Sequence, residues 1–290
     1  MEMPKLIMLV GMPGSGKTTY AKKYIEEHEH TIHLSSDLIR KELYGDESVQ
    51  GDPGEVFSLM QSRAIEALNN GQNVVYDATN VTRKDRAGVI ALCHKFVSIE
   101  AHVIWAPIET CIERDAKRER TVGKAVIDKM LRRFQPPFYD EGFSVIEIVV
   151  PEDVDRGEYA YQIMDAMKIP HDNPHHTLDI EAHCVAAHSK ASDIGLDRDI
   201  RFAALVHDVG KPYVKSFRDG KGNASETAHY YSHDNIGAWV VYGMNKVTPY
   251  IAWLVGVHMN PFMNTKYYNK LPPFLKEPID LLHKCDLEAH

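Results

Sequence analysis

With 290 residues, 44% of them hydrophobic and 26% charged, the chain has room for two domains that each bury a core, and it contains no biased tract. A net charge of −8 argues against a broad electrostatic grip on duplex nucleic acid, though not against a local basic groove. The four scattered cysteines form no C-x-x-C pair and no apolar run approaches a membrane span, so a cytoplasmic protein without a membrane partner is expected.

The first half alternates short apolar runs with helical patterns, the signature of a parallel sheet with crossover helices. Strands are expected at residues 5–11, 31–35, 73–78, 99–106 and 143–150. Helices are expected at 17–29, from Asp37 onward, and at 56–70, 83–96, 108–120 and 124–134. Residues 151–174 hold acidic residues, a modest helical pattern at 159–167 and then Pro, Asp and Asn, and mark a junction. The expected division is an α/β domain at 1–151, a linker at 152–172 and an all-α domain at 173–290. Helices in the last part are expected at 178–191, 198–207, 232–244, 248–258 and 278–288. Histidine shifts with the domain: five of sixteen lie in residues 1–150 and eleven beyond.

The segment Gly11-Met12-Pro13-Gly14-Ser15-Gly16-Lys17-Thr18-Thr19 follows an apolar strand and opens a helix. Glycines at that spacing turn backbone N–H groups toward phosphates, Lys17 reaches the β/γ-phosphates, and Thr18 ligates Mg²⁺. ATP and Mg²⁺ are therefore the expected cofactors, with Gly11, Gly14, Ser15, Gly16, Lys17, Thr18 and Thr19 as the cradle. Asp37 ends the second strand, where it serves either as a general base for an acceptor hydroxyl or as a helix N-cap. Arg40 lies one turn on, within reach of a phosphate on the acceptor. Asp77 ends the third strand, a position suited to Mg²⁺. Residues 114–133 hold eight basic and three acidic side chains. Arg114 and Arg118, four apart, share a helix face and suit a lid that closes on ATP. A solvated helix with salt bridges to Asp115 and Glu119 is the plainer reading, and it suits Lys117 and Arg120 better.

The P-loop, the S-S-D-x-x-R segment, D-A-T-N at residues 77–80 and E-R-D-A-K-R together resemble the polynucleotide kinase branch of P-loop phosphotransferases over residues 5–150. That resemblance implies that Asp37 is the general base for a 5′-hydroxyl, Arg40 and Asn80 contact the acceptor strand, and Arg118 stabilises the transition state.

In the second half, His207-Asp208 ends an apolar helical run and is followed by Val209-Gly210-Lys211. Imidazoles and carboxylates together suit divalent ions, which lower the pKa of bound water and polarise a phosphoryl oxygen. An Asp beside a His can bridge two ions, and Lys211 can pair with a phosphate oxygen. H-D-x-G-K, with the preceding N-P-H-H-T-L-D-I-E-A-H, resembles the HD phosphohydrolase superfamily over residues 173–290. The resemblance implies the ligands His183, His207, Asp208, His233, His258 and Asp286, holding one or two ions among Mn, Mg, Ni, Co, Fe and Zn. His229 rivals His233, His176 stays open, and His171, His188 and His290 read as ordinary polar residues.

Fused kinase and HD modules resemble a bifunctional end-healing enzyme. The implied substrates are RNA or DNA ends, single-stranded or nicked. One site phosphorylates a 5′-OH, and the other clears a 3′-phosphate or opens a 2′,3′-cyclic phosphate. No D-x-D-x-T or K-x-D-G motif is present, so sealing would fall to a separate ligase as partner. Here the HD module follows the kinase, the reverse of the fused family form. Two other readings stand beside this one: a small-molecule or nucleoside kinase joined to a nucleotide phosphohydrolase, and a nucleotide-binding regulator with a weakly active HD domain.

Overall fold

The computed structural model describes residues 3–93, 97–174 and 177–289. His175, His176, His290 and the expected helix end at 94–96 lie outside the described residues. Two compact units divide the chain: Met1–Met130 with Pro137–Pro151, and Leu131–Pro136 with Glu152–His290.

The first unit runs β1 (Lys5–Val10), α1 (Lys17–Glu27), β2 (Thr31–Ser35), α2 (Ser36–Tyr44), α3 (Pro53–Asn69), β3 (Asn73–Asp77), α4 (Arg83–Cys93), β4 (Ser98–Ile104), α5 (Ile108–Ala116), α6 (Lys124–Leu131) and β5 (Val145–Val149). The five strands form one parallel sheet in the order β2-β3-β1-β4-β5. β1, Lys-Leu-Ile-Met-Leu-Val, is buried at every position after Lys5 because it is central and helices cover both faces. β5 is an edge strand, and only Ile146 in it is fully buried. Asp52 caps α3 through the Gly54 N–H and Pro53 sets its first turn, which is why this helix starts three residues before the expected 56.

The second unit continues with α7 (Arg156–Ala166), α8 (Ile180–Asp193), α9 (Arg198–Val206), α10 (Lys211–Val214), β6 (Ser216–Arg218), β7 (Ala224–His229), α11 (His233–Val241), α12 (Pro249–Val257), α13 (Asn260–Met263), α14 (Thr265–Lys270) and α15 (Pro273–Leu287). Helices dominate, as expected. The unit adds one element to the expected helices, the antiparallel hairpin in which β6 and β7 pair. The expected linker at 152–172 holds α7, capped by Asp155 and tied to the end of α11, where Arg156 donates to the carbonyls of Tyr242, Gly243 and Met244. The core is α12, buried at every residue from Ile251 to Val257, with Trp239 and Trp253 among the largest buried side chains. Side-chain oxygens of Asp179, Asp197 and Thr248 start α8, α9 and α12.

Candidate active sites

The first site lies at the carboxyl ends of the parallel strands, where ligands of open α/β sheets collect. The loop Gly11–Thr18 joins β1 to α1. Gly14 has φ +79°, and a Cβ there would lie 2.2 Å from the Cys111 carbonyl oxygen, so no other residue fits. Lys17 Nζ donates to the carbonyls of Gly11 (3.0 Å) and Met12 (2.9 Å). Burial pulls its ammonium below the usual lysine range, with Asp77 acting in the opposite sense. Ser15 Oγ is buried and has no hydrogen-bond partner among the described residues. An orphaned hydroxyl, a lysine turned back on its own loop and a glycine-walled hollow fit a triphosphate.

Thr18 Oγ1 donates to Asp77 Oδ2 at 3.1 Å, and His33 Nε2 lies 3.0 Å from the same oxygen. Thr18 and Asp77 are thus together, as a shared Mg²⁺ site requires. The strand register pairs Ser35 with Asp77, which carries the acceptor-side segment to the same sheet edge.

The two readings of Asp37 separate cleanly. Ser35, not Asp37, is the N-cap of α2: its hydroxyl accepts the Asp37 backbone N–H at 3.3 Å. The Asp37 carboxylate is left to two guanidiniums, Arg40 at 2.9 Å and Arg120 at 3.0 Å, both on Oδ1. Arg120, read as an ordinary surface residue, therefore shares this carboxylate with Arg40.

Three expectations in this unit are corrected. Arg114 and Arg118 do not share a helix face, because α5 ends at Ala116 and the Arg118 N–H already bonds the Asp115 carbonyl at 3.1 Å. Both arginines are exposed, and Arg118 lies close enough to Lys17 to depress its pKa. Asp115 is not a surface salt-bridge partner. It is buried, and its carboxylate accepts the N–H groups of Val122 (3.1 Å) and Gly123 (2.9 Å). Asn80, expected to contact the acceptor strand, is 2% exposed and turned into the scaffold. Its side-chain amide donates to the carbonyls of Leu9 (2.7 Å) and Ala78 (3.4 Å), and its backbone carbonyl accepts from Arg86 at 2.9 Å.

In the second unit four histidines and two aspartates converge. His183 comes from α8, His207 and Asp208 from the end of α9, His233 from the start of α11, His258 from the end of α12 and Asp286 from α15. Each ligand histidine is oriented the same way. Nδ1 bonds a backbone carbonyl: Ala289 for His183 (2.9 Å), Ala204 for His207 (2.9 Å), Tyr230 for His233 (2.8 Å) and Val255 for His258 (2.7 Å). A carbonyl only accepts, so Nδ1 carries the proton and Nε2 presents its lone pair.

Those Nε2 atoms face carboxylates and each other. His183 and His207 lie 2.9 and 3.4 Å from Asp286 Oδ1, and 3.9 and 3.4 Å from Asp208 Oδ2. His233 lies 3.3 Å from Asp208 Oδ1 and 3.2 Å from His258 Nε2. Lone pairs pointed at carboxylates repel unless a cation stands between them. Two sets, His183-His207-Asp208 and Asp208-His233-His258, hold their donor atoms within 4.8 Å of one another and share Asp208. The donor set fits divalent ions, and the backbone-anchored rings are the usual support of metal-binding imidazoles.

The electrostatics agree. Burial opposes charge on His207, yet Asp208, the Cys184 thiol and Asp286 hold it well above the usual imidazole range. Burial likewise opposes ionisation of Asp208, while Lys211 and His207 hold its carboxyl well below the usual range. Burial and the neighbouring His233 and His207 push His258 down to about 3. Protons and metal ions are competing answers to the same buried negative charge.

His229 lies outside the two donor sets: its Nε2 bonds Ser225 Oγ at 3.0 Å and its ring stacks on Tyr231. His188 bonds the Arg201 carbonyl, away from the cluster. Lys211 is already engaged, with Nζ 2.6 Å from Asp208 Oδ2 and 3.2 Å from His171 Nε2. Against expectation, His171 is buried beside the cluster. Sequence reasoning missed His33, Arg120 and His171. Only His33 left a signal, since it shares a strand face with Ser35 two positions on.

Residues 6–137 match the family described as an AAA domain, and residues 180–285 match the HD domain family. A comparison with proteins of curated function finds no match. Among solved structures, the chain is similar to one from the Pnkp1/Rnl/Hen1 RNA repair complex, at 26% identity and TM-score 0.42, covering 45% of this chain and 43% of that one. A fungal RNA kinase matches at 13% identity and TM-score 0.41, over 58% of this chain and 44% of that one. A gluconokinase from Sinorhizobium meliloti matches at 16% identity and TM-score 0.37, over 53% and 86%. The chain thus spans less than half the length of the RNA repair chain it matches. Two family descriptions thus match separate segments of this polypeptide, the AAA domain over residues 6–137 and the HD domain over residues 180–285.

Proposed function

We propose that the chain heals nucleic-acid ends, adding phosphate to a 5′-OH in the first unit and removing a 3′-phosphate or opening a 2′,3′-cyclic phosphate in the second. The observation that carries the first half is Asp37. Capping by Ser35 leaves its carboxylate at the sheet edge beneath Arg40 and Arg120, within electrostatic reach of Lys17. Two guanidiniums around one carboxylate leave surplus positive charge, which suits an acceptor that brings a phosphate of its own.

In the transfer, the acceptor oxygen bonds the γ-phosphorus as the bond to the β,γ-bridging oxygen breaks and ADP leaves. Asp37 takes the hydroxyl proton. Lys17 exchanges its loop carbonyls for phosphate oxygens, and Arg118, with Arg114 nearby in sequence, offsets charge on the transferred group. Thr18 and Asp77 would hold Mg²⁺.

In the second unit His183, His207, Asp208 and Asp286 would hold one divalent ion, and Asp208, His233 and His258 a second. Such ions supply an activated water and a polarised phosphoryl oxygen. The chain's own work is orientation: backbone carbonyls fix each imidazole, and Lys211 balances the charge of Asp208. Water adds to phosphorus and the sugar oxygen leaves with a proton.

End-labelling tests both halves. Transfer of γ-phosphate from ATP to 5′-OH oligonucleotides, lost in Lys17→Ala and Asp37→Ala, is the expected result. Metal-dependent phosphate release from 3′-phosphorylated or cyclic ends should vanish in Asp208→Ala. Acceptance of phosphate by nucleosides or sugars alone, or hydrolysis that survives Asp208→Ala, would overturn the reading. RNA and DNA oligonucleotides are assayed side by side, with and without a ligase acting on the products.

A further inference from the structure

His171 precedes the segment that matches the HD family, on the stretch that sequence reasoning treats as linker. Yet it is 1% exposed and lies against the metal-binding cluster. Its Nδ1–H donates to the Leu178 carbonyl at 2.8 Å, so Nε2 is an acceptor. Lys211 Nζ donates to that Nε2 at 3.2 Å while contacting Asp208 Oδ2 at 2.6 Å. His171 Nε2 itself is 4.0 Å from that oxygen, too far for a direct bond.

The backbone that carries His171 is moored on several sides. The Tyr230 hydroxyl donates to the His171 carbonyl, the Ala228 N–H donates to the Asp172 carbonyl at 2.8 Å, and Lys215 pairs with the Asp172 carboxylate at 2.6 Å. Lys211 Nζ also sits 5.3 Å from the centre of the Tyr230 ring. This much structure holds one imidazole in one place.

We propose that His171 is a positioning residue of the hydrolytic centre, acting through Lys211 to fix the rotation of the shared carboxylate Asp208. The two oxygens of Asp208 have different duties: Oδ1 faces His233, and Oδ2 faces His183 and His207. A lysine ammonium on a four-carbon stem does not fix that rotation through a single contact. A second acceptor, set roughly at right angles to the first about Nζ, does. With His171 removed, Lys211 swings and Asp208 turns, and both donor sets lose their common member.

The proposal rests on the metal-binding part of the proposed function, and its test reads metal affinity directly. The probe is Mn²⁺, titrated into the full chain with free ion followed by electron paramagnetic resonance. His171→Ala should weaken Mn²⁺ binding about 10- to 100-fold, the usual cost of losing an outer partner of a metal ligand. His171→Gln, whose amide oxygen accepts the same N–H, should restore most of the affinity. His188→Ala removes a comparable histidine-to-carbonyl bond elsewhere on α8 and should leave Mn²⁺ binding unchanged. In a Lys211→Met background the His171→Ala loss should disappear, because one acts through the other. If His171→Ala does not fold, His171→Phe takes its place, filling the ring volume without an acceptor.

Wild-type affinity in His171→Ala, an equal loss in His188→Ala, or a loss that persists with Met at 211 would each overturn the proposal. A wild-type chain that binds Mn²⁺ but releases no phosphate from nucleic-acid ends would sink the proposed function and leave this test intact.

Discussion

Replacing Gly210 with alanine adds one methyl group where the chain has no space for it. The backbone of Gly210 is ordinary helical, at φ −79° and ψ −17°, so alanine meets no conformational barrier. The obstacle is contact. A Cβ would stand 1.9 Å from the His233 carbonyl oxygen and 2.7 Å from the Gly237 nitrogen, against 3.4 Å for an ordinary contact. Both neighbours are backbone of α11, so the first turn of that helix must retreat by about 1.5 Å (3.4 − 1.9). Overpacking of this kind costs about 1–3 kcal/mol. The functional cost falls on His233, whose Nε2 is 3.3 Å from Asp208 Oδ1. Metal–ligand distances tolerate only about 0.2 Å, several times less than the forced shift. His183, His207 and Asp286 lie on other helices and keep their places. The expected outcome in a Mn²⁺ titration is loss of binding at the donor set that includes His233, with the set of His183, His207 and Asp286 retained. Two ions bound with unchanged affinity would refute the reasoning, and so would loss of both ions from a folded chain.

Two further outcomes concern the first unit. Asp115→Ala removes the acceptor shared by Val122 and Gly123. Bonds to a charged group contribute about 1.5–3 kcal/mol each, and water replaces part of this at two half-exposed residues, so a net local loss of about 2 kcal/mol is expected. That is roughly thirty-fold faster hydrogen exchange at these two amides, with exchange in β1 unchanged; equal exchange rates would exclude the staple. His102 gives a pH dependence. Tyr20 donates to its Nδ1 at 2.7 Å, and its Nε2–H faces Glu100 at 3.3 Å and Glu147 at 3.6 Å, with Lys5 and Tyr24 nearby. Burial holds this imidazole below its usual value despite both glutamates. The neutral form is therefore the stable one: its contribution is complete above about pH 6.5 and is lost as pH falls through the lowered folded value. Melting temperature of the full chain should decline on acidification below that point, and less steeply in His102→Gln; identical slopes would remove His102 as the cause.

The sheet was legible because a central parallel strand announces itself. The run from Leu6 to Val10 is apolar without alternation, and only burial on both faces permits that. The His/Asp cluster was legible through spacing and family resemblance: the fold brings His183, His207, Asp208, His233, His258 and Asp286 together. The choice between His229 and His233 was not legible. It depends on where β7 ends and α11 begins, and Ser232 turns that corner at φ +66°, a backbone state that no residue pattern displays. Arg120 was misjudged for a related reason. A periodic reading continues the helix to residue 120, but Asp115 turns its carboxylate to the backbone beyond Ala116 and the segment leaves the helix axis.

Asp37 shows why local sequence underdetermines a site. Ser35, Ser36 and Asp37 are all good caps, and propensity does not rank them. The choice of Ser35 is a matter of one rotation of register at the helix start, yet it decides whether Asp37 spends its carboxylate on backbone or presents it to Arg40 and Arg120. The same division recurs in the second unit, where five histidines each give one nitrogen to a carbonyl and keep the other for the centre. In both units the scaffold takes up every polar group it needs for folding, and the atoms left over converge. A site built this way is sensitive to changes that touch no reacting atom, which is why substitutions at Gly210, Asp115 and His171 should disturb it from a distance.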